Sequence, residues 1–217
     1  MNQRKPVMTQ DCPLCSGTTD LYYQNKNQIF FICRVCKGIS LEKSLLPGYE
    51  REKERYLKHN NDIEDPGYQL FVFPIIKAVT RDYNFFDKGL DFGAGTGPVV
   101  SKLLKDKGYD ISMYDPFFHD HPELLTREFD YIVCCEVVEH FHHPGEEFEL
   151  LKRLLAPVGK LYCLTYIYDE SIDFSKWAYK NDPTHVFIYM GETFDWIKKN
   201  IGFSSIMIDD RLVTISK

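Results

Sequence analysis

Apolar and polar positions along the 217-residue chain follow two periods, and the switches between them mark its elements. Near the N-terminus, Leu21-Tyr22-Tyr23-Gln24 and Ile29-Phe30-Phe31-Ile32 are aromatic, β-branched runs on either side of Asn25-Lys26-Asn27. Such a pair predicts a β-hairpin. Residues 50–60 then read as a charged helix, with Pro47-Gly48 as the breaker before it and Asn60-Asn61, then Asp65-Pro66-Gly67, ending it. Residues 68–80 form an apolar helix carrying Leu70, Phe71, Phe73, Ile75, Ile76 and Val79, interrupted by Pro74. From there strands and helices alternate. An apolar run enters Leu90-Asp91-Phe92, and residues 99–107 place Val100, Leu103 and Leu104 on one helical face before Gly108. Residues 109–115 and 129–135 read as strands, 145–155 as a helix, and 160–165 as a strand after the turn Ala156-Pro157-Val158-Gly159. An aromatic, irregular stretch (166–190) leads to a helix over 192–200 and a closing hairpin of 203–208 with 211–216. This order predicts an α/β fold whose sheet is mostly parallel, with an antiparallel C-terminal hairpin. Only thirteen residues separate Asp115 from Phe129, too few for a further strand and a full helix. One or both of these are expected to be vestigial, leaving Phe117, Phe118 and Leu124 to cover that side of the site.

Composition changes the picture in two places. With 44% hydrophobic residues the chain can bury one full core and carry one small appendage. No apolar run reaches spanning length, and Met1-Asn2-Gln3-Arg4-Lys5 lacks the apolar stretch of a secretory leader, so a cytoplasmic protein with no membrane partner is expected. The formal charge of -6 is uneven: residues 1–60 hold ten Lys/Arg against six Asp/Glu, the remainder sixteen against twenty-six. An acidic body argues against general nucleic-acid binding, which requires neutralised phosphates, and leaves the N-terminal segment as the one route to it.

Cysteine spacing gives that segment its chemistry. Cys12-Pro13-Leu14-Cys15 and Cys33-Arg34-Val35-Cys36 are two Cys-x-x-Cys pairs seventeen residues apart, the spacing of a four-thiolate zinc site. Gly17 and Gly38 each follow a pair by one residue, suiting a tight turn whose amides point at the thiolates. A Zn²⁺ ion held by four thiolates has no open position and is structural. Iron–sulfur and redox chemistry remain the competing readings. Cys134, Cys135 and Cys163 lie in apolar strands and read as packing residues.

The second chemical signal is Asp91-Phe92-Gly93-Ala94-Gly95-Thr96-Gly97, between a strand and a helix. Alternate glycines let a chain turn tightly and bring backbone amides against a ligand. Pro98 stands where a dinucleotide fingerprint needs its third glycine, which places a nicotinamide cofactor last. Asp115 ends the next strand about twenty residues on, where nucleotide folds put a carboxylate on ribose hydroxyls. Pro116 and Phe117 would flank the base.

These residues resemble motif I of the class I S-adenosylmethionine (SAM) dependent methyltransferases, a strand running into Asp/Glu-x-Gly-x-Gly-x-Gly. The strand from Phe129-Asp130 into Glu136-Val137-Val138-Glu139-His140, and the Ala156-Pro157-Val158-Gly159 turn, are similar to later segments of the same superfamily. The resemblance covers about 85–217 and implies a Rossmann-like methyltransferase sheet. It also implies SAM or S-adenosylhomocysteine bound by Asp91, Phe92, Gly93, Ala94, Gly95, Gly97, Asp115, Pro116, Phe117, Cys135 and Glu136. The Cys12, Cys15, Cys33 and Cys36 segment resembles a zinc ribbon. The expected division is then 1–40 as ribbon, 41–84 as helical connector or lid, and 85–217 as the SAM-binding domain. Residues 55–68 resemble the pre-motif segment of ribbon-bearing relatives, making His59 and Tyr68 pocket candidates.

The acceptor should approach over the carboxyl ends of the strands. His140 and His185 fall there and are the candidate general bases, each set against a structural hydrogen-bonding role. His142 and His143 read as helix entry. Trp177, Tyr179 and Phe187 form either an aromatic box for the acceptor or ordinary core. The leading function is methyl transfer to a small molecule. Two others stay open: an RNA or protein methyltransferase docking through the ribbon, and a non-catalytic SAM-binding zinc protein.

Overall fold

The computed structural model describes residues 9–58 and 62–217. Two sheets share one body. The small sheet holds β1 (Thr19–Gln24), β2 (Ile29–Cys33), β3 (Ile39–Leu41) and β8 (Phe187–Ile188), in that order and antiparallel throughout. The large one comprises β4 (Lys88–Phe92), β5 (Asp110–Tyr114), β6 (Phe129–Cys135), β7 (Leu155–Leu164), β9 (Ser205–Asp209) and β10 (Leu212–Ser216). Its order is β5-β4-β6-β7-β10-β9; β4 to β7 run parallel and β10 opposes both neighbours. The mostly parallel sheet and closing hairpin expected from the sequence are therefore present. Between β5 and β6 only a 3₁₀ turn, Pro122–Thr126, is found, as the short spacing required.

Alternation along the strands makes three layers. Tyr131 and Val133 of β6 face α2 (Pro66–Asp82) and α3 (Val99–Asp106), packing with Val72, Ile75, Val79 and Leu104. Ile132 and Cys134 face α4 (Pro144–Leu154) and α5 (Gly191–Ile197), packing with Phe148, Leu151 and Phe194. Cys12, Leu14, Cys33 and Cys36 belong to this second cluster, so the cysteine segment rests on the same core as α4.

Several expectations are corrected. Asp65-Pro66 starts α2 rather than ending the preceding helix. Asp65 accepts the N–H of Gly67 at 2.9 Å and Pro66 occupies the first turn, where its missing N–H costs nothing. α2 also runs unbroken through Pro74, because that residue and Leu70 lie on the water side while Val72, Ile75 and Ile76 are buried. The charged helix is shorter than read: α1 covers Tyr49–Tyr56. Ala156 to Gly159 is a bulge within β7 rather than a turn before it, marked by a register shift and by Val158 at φ +61. Among the described residues no helix is long and apolar enough to cross a membrane.

Candidate functional site

β4 ends at Phe92, and the chain bends through residues 93–98 into α3. Gly93 and Gly95 have φ of +81 and +64, and a Cβ on Gly93 would stand 2.6 Å from a Val137 methyl carbon. Gly93 therefore meets both a left-handed backbone and a close approach that only glycine accepts. The N–H groups of Gly93 and Ala94 donate to the Tyr114 carbonyl at 2.8 and 3.1 Å, tying the bend to β5. Asp115 completes the tie. One carboxylate oxygen accepts from Gly95 N–H at 2.9 Å, the other from Phe117 and Phe118 N–H at 2.8 and 3.1 Å. Asp91 is buried and accepts from Ser101 Oγ at 2.7 Å, fixing the start of α3; burial pushes its carboxyl up to about 6.

These loops open on a cavity of about 850 Å³, within the ~300–1,000 Å³ of small-molecule sites. Every residue expected at the cofactor borders it: 91 to 95, Gly97, Asp115, Pro116, Phe117, Cys135 and Glu136, with Tyr68 from α2. His140 and His185 border it as well, their rings 4.9 Å apart. His59 lies outside the described residues. Leu124 is not in the wall: it turns into the core, and Leu125 takes the expected place. Phe187 is fully buried beneath Gly38, so it belongs to no acceptor box; Tyr179 does reach the cavity. His142 is more than helix entry, since its Nε2 lies 3.0 Å from Glu52 Oε1 at the cavity wall.

The sequence reading missed what α1 contributes. Tyr49, Glu52 and Tyr56 border the cavity, and their spacing of three and four puts them on one helical face. Tyr49 and Tyr56 pack on Phe117 with ring centroids 4.6 and 5.3 Å away. Arg55 pairs with Asp182 at 2.6 Å, joining α1 to the loop after β7. Periodicity could have found this face, but the charged residues between the tyrosines masked it.

The floor is acidic. Glu136 follows β6 with φ +52; burial, then the nearby Glu139 charge, pushes its carboxyl up to about 9. Its Oε1 is buried with no hydrogen-bond partner. Glu139 is fully buried and accepts from Tyr179 OH at 2.6 Å and Thr165 Oγ1 at 3.0 Å. A carboxyl titrating near 9 is neutral at pH 7, so Glu136 offers the cavity a hydrogen-bonding group, a donor as well as an acceptor.

At the other end, the sulfurs of Cys12, Cys15, Cys33 and Cys36 lie within 4.8 Å of one another. Cys12–Cys36 and Cys15–Cys33 are 3.5 and 3.4 Å apart, close to the ~3.8 Å edge of a tetrahedral zinc–thiolate site. Gly17 and Val35 N–H groups donate to Cys15 and Cys33 sulfurs at 3.4 Å. The left-handed residues of the two knuckles are Ser16 and Lys37, one position before the glycines. Gly38 is needed for another reason: a Cβ there would stand 2.2 Å from the Phe187 ring. Four thiol groups this close cannot all ionise without a cation, so the donor set fits a thiophilic dication and is consistent with a small zinc ribbon.

A family model described as a methyltransferase domain matches residues 49–207. The chain superposes on a SAM-dependent methyltransferase from Archaeoglobus fulgidus with TM-score 0.54 and 16% identity, over 78% of this chain and 100% of that one. An O-methyltransferase family protein from Burkholderia thailandensis gives 0.55 and 12%, over 80% and 64%. Human N-acetylserotonin methyltransferase, solved with SAM, gives 0.54 and 12%, over 78% and 57%. The chain thus spans well under two thirds of the length of some of the structures it matches, and likeness at these identities is one of fold. A search of curated protein sequences found no match.

Proposed function

The chain belongs to the methyltransferase-domain family, and on that premise we propose that it transfers a methyl group from SAM to a small-molecule acceptor. The observation that carries this reading is the cavity where the glycine bend, Asp115 and the acidic floor meet. The bend 93–97 would take the amino-acid and ribose part of the nucleoside, with Asp115 accepting from one ribose hydroxyl through the lone pair its three backbone donors leave free. Pro116, Phe117 and Leu125 supply apolar surface for the adenine. Bound there, SAM would supply the methyl group on a sulfonium, already a good leaving group.

What remains for the protein is alignment and exclusion of water. α1 and α2 do both, closing Tyr49, Tyr56 and Tyr68 over the site. His140 and His185 stand on the acceptor side. We assign the cysteine cluster a structural zinc ion, since four thiolates leave no position for a substrate.

Calorimetric titration with SAM, S-adenosylhomocysteine and NAD tests the cofactor. SAM and its demethylated product are expected to bind one per chain and NAD not at all. Binding of NAD alone would overturn the reading. Labelled SAM with a panel of hydroxyl and amine acceptors then identifies the substrate.

A further inference from the structure

Two histidines and a carboxylate converge beside the cavity with their second partners already in place. A ring nitrogen of His140, one of His185 and a carboxylate oxygen of Glu139 lie within 4.8 Å of one another. His140 Nδ1 is 2.8 Å from the Thr184 carbonyl, and His185 Nδ1 is 2.7 Å from the Tyr179 carbonyl. A carbonyl only accepts, so each Nδ1 carries a proton, and the lone pair of each ring in its neutral form is on Nε2. That is how proteins prepare histidine as a metal ligand: the distal nitrogen donates to the frame, which fixes tautomer and ring angle. Glu139 is held in the same way by Thr165 and Tyr179 hydroxyls.

A separate observation points to the same place. Glu136 Oε1, three residues before Glu139 at the cavity floor, is buried with no partner. A buried carboxyl oxygen left unmatched is costly unless something absent from the protein completes it.

We propose that Glu139, His140 and His185 bind a divalent cation, distinct from the one at the cysteines, whose open positions face the cavity. Two imidazoles and a carboxylate favour borderline ions such as Zn²⁺, Co²⁺ or Fe²⁺ over Ca²⁺, and accept the harder Mn²⁺ more weakly. Ligands of one ion at ~2.0–2.2 Å stand roughly 3–4 Å apart, so a small inward rotation completes the set. Glu136 lies outside this group of three, and its unpartnered oxygen would serve an ion-bound water instead.

The consequence for chemistry rests on the methyltransferase reading, while the site itself does not. An acceptor hydroxyl on the open face would meet a positive charge that favours loss of its proton. The proton passes to water at the cavity mouth, and the O–H electron pair stays on the oxygen as the nucleophile. The acceptor class is thus an oxygen acceptor, such as a phenol or a vicinal diol able to chelate.

The experiment uses untagged full-length protein carrying one equivalent of zinc, titrated with Mn²⁺ and followed by electron paramagnetic resonance. Mn²⁺ does not compete for thiolates, so it reports the second site alone. One ion per chain is expected, with affinity lowered on the order of tenfold to a hundredfold in His140→Gln and His185→Gln. Thermal unfolding and near-ultraviolet circular dichroism of the same proteins serve as the fold check, with SAM titrated separately into the unsubstituted protein. Absence of Mn²⁺ binding, or binding unmoved by both substitutions, would overturn the proposal. If SAM binds and Mn²⁺ does not, the cation site fails while the methyltransferase reading stands. If Mn²⁺ binds and SAM does not, the site stands and the assignment of its acceptor falls.

Discussion

Asp115→Asn is the sharpest test of the cofactor site because one carboxylate serves both the loops and the nucleoside. Its oxygens receive three backbone N–H groups, from Gly95, Phe117 and Phe118. Asparagine keeps one accepting oxygen. If that oxygen stays with Phe117 and Phe118, the new amide N–H₂ meets the N–H of Gly95, donor against donor. A hydrogen bond to a charged group contributes ~1.5–3 kcal/mol, so the fold should lose about that much. For a chain of this length Tm should fall by ~3–12 °C. A ribose contact of the same kind would add a further ~1.5–3 kcal/mol in binding, roughly a tenfold to 150-fold loss of affinity. Loop damage and lost contact are separated by a cycle with two ligands, S-adenosylhomocysteine and its 2′-deoxy analogue, titrated into both proteins by calorimetry. If the carboxylate grips the 2′-hydroxyl, the deoxy ligand binds the wild type more weakly and loses less on substitution. Equal losses for both ligands would confine Asp115 to holding the loops and refute its assignment to the ribose.

Other perturbations probe different parts of the same frame. Asp91 has its carboxyl raised from 3.8 to about 6 by burial. The unfolded chain releases this proton first, so stability is full below pH ~4 and falls by about 3 kcal/mol as pH rises through 6. Asp91→Asn should remove that slope in urea denaturation; parallel pH curves for the two proteins would show that the buried charge is not responsible. Gly93→Ala combines a left-handed backbone with a 2.6 Å contact to Val137 and should cost about 2–5 kcal/mol. Adding Val137→Ala should restore the steric part only, and full recovery of Tm would show that the backbone angle is harmless. Cys12→Ser, which removes one thiolate of the proposed zinc site, should weaken binding of the acceptor or of Mn²⁺ more than binding of SAM. Equal weakening of all would count against a local role for the cluster.

How far the sequence carried depends on the range of the interactions involved. The glycine bend, the strand-end Asp115 and the cysteine pairs are local patterns, each set by spacing within a few residues, and the structure brings the first two to one cavity. The missing strand and helix between Asp115 and Phe129 followed from chain length alone. The sequence leaves Phe187 between acceptor box and core because a two-residue strand has no period; only its pairing with Ile39 and Ser40, over a hundred residues away, decides for core. Asp65-Pro66 was read as a stop although its chemistry equally begins a helix, and nothing local distinguishes the two. Glu139 carried no signal of its own, since its burial and its partners Thr165 and Tyr179 come from distant elements.

That long-range pairing also explains how the cysteine cluster is fastened to the body built on the large sheet. β8 extends the sheet of the cysteine segment, with Leu41 N–H donating to the Val186 carbonyl at 2.8 Å beside it. Gln28 reaches across to the Lys180 carbonyl at 2.7 Å, and buried Lys180 places its ammonium 4.8 Å from the centre of the Tyr23 ring. Residues 180–188 are therefore strung along the edge of the small sheet. Asp182 and His185, which border the cavity, lie in this stretch, and so does Thr184, whose carbonyl orients His140. The glycine bend, by contrast, is braced by β5 and α3 and touches none of these residues through its hydrogen bonds. Loosening the cysteine knuckles would free the proposed acceptor side first, because its positioning contacts lie in the stretch that leads into β8. The glycine bend keeps its own frame, and this asymmetry is what sets the expected order of losses when the cysteine cluster is disrupted.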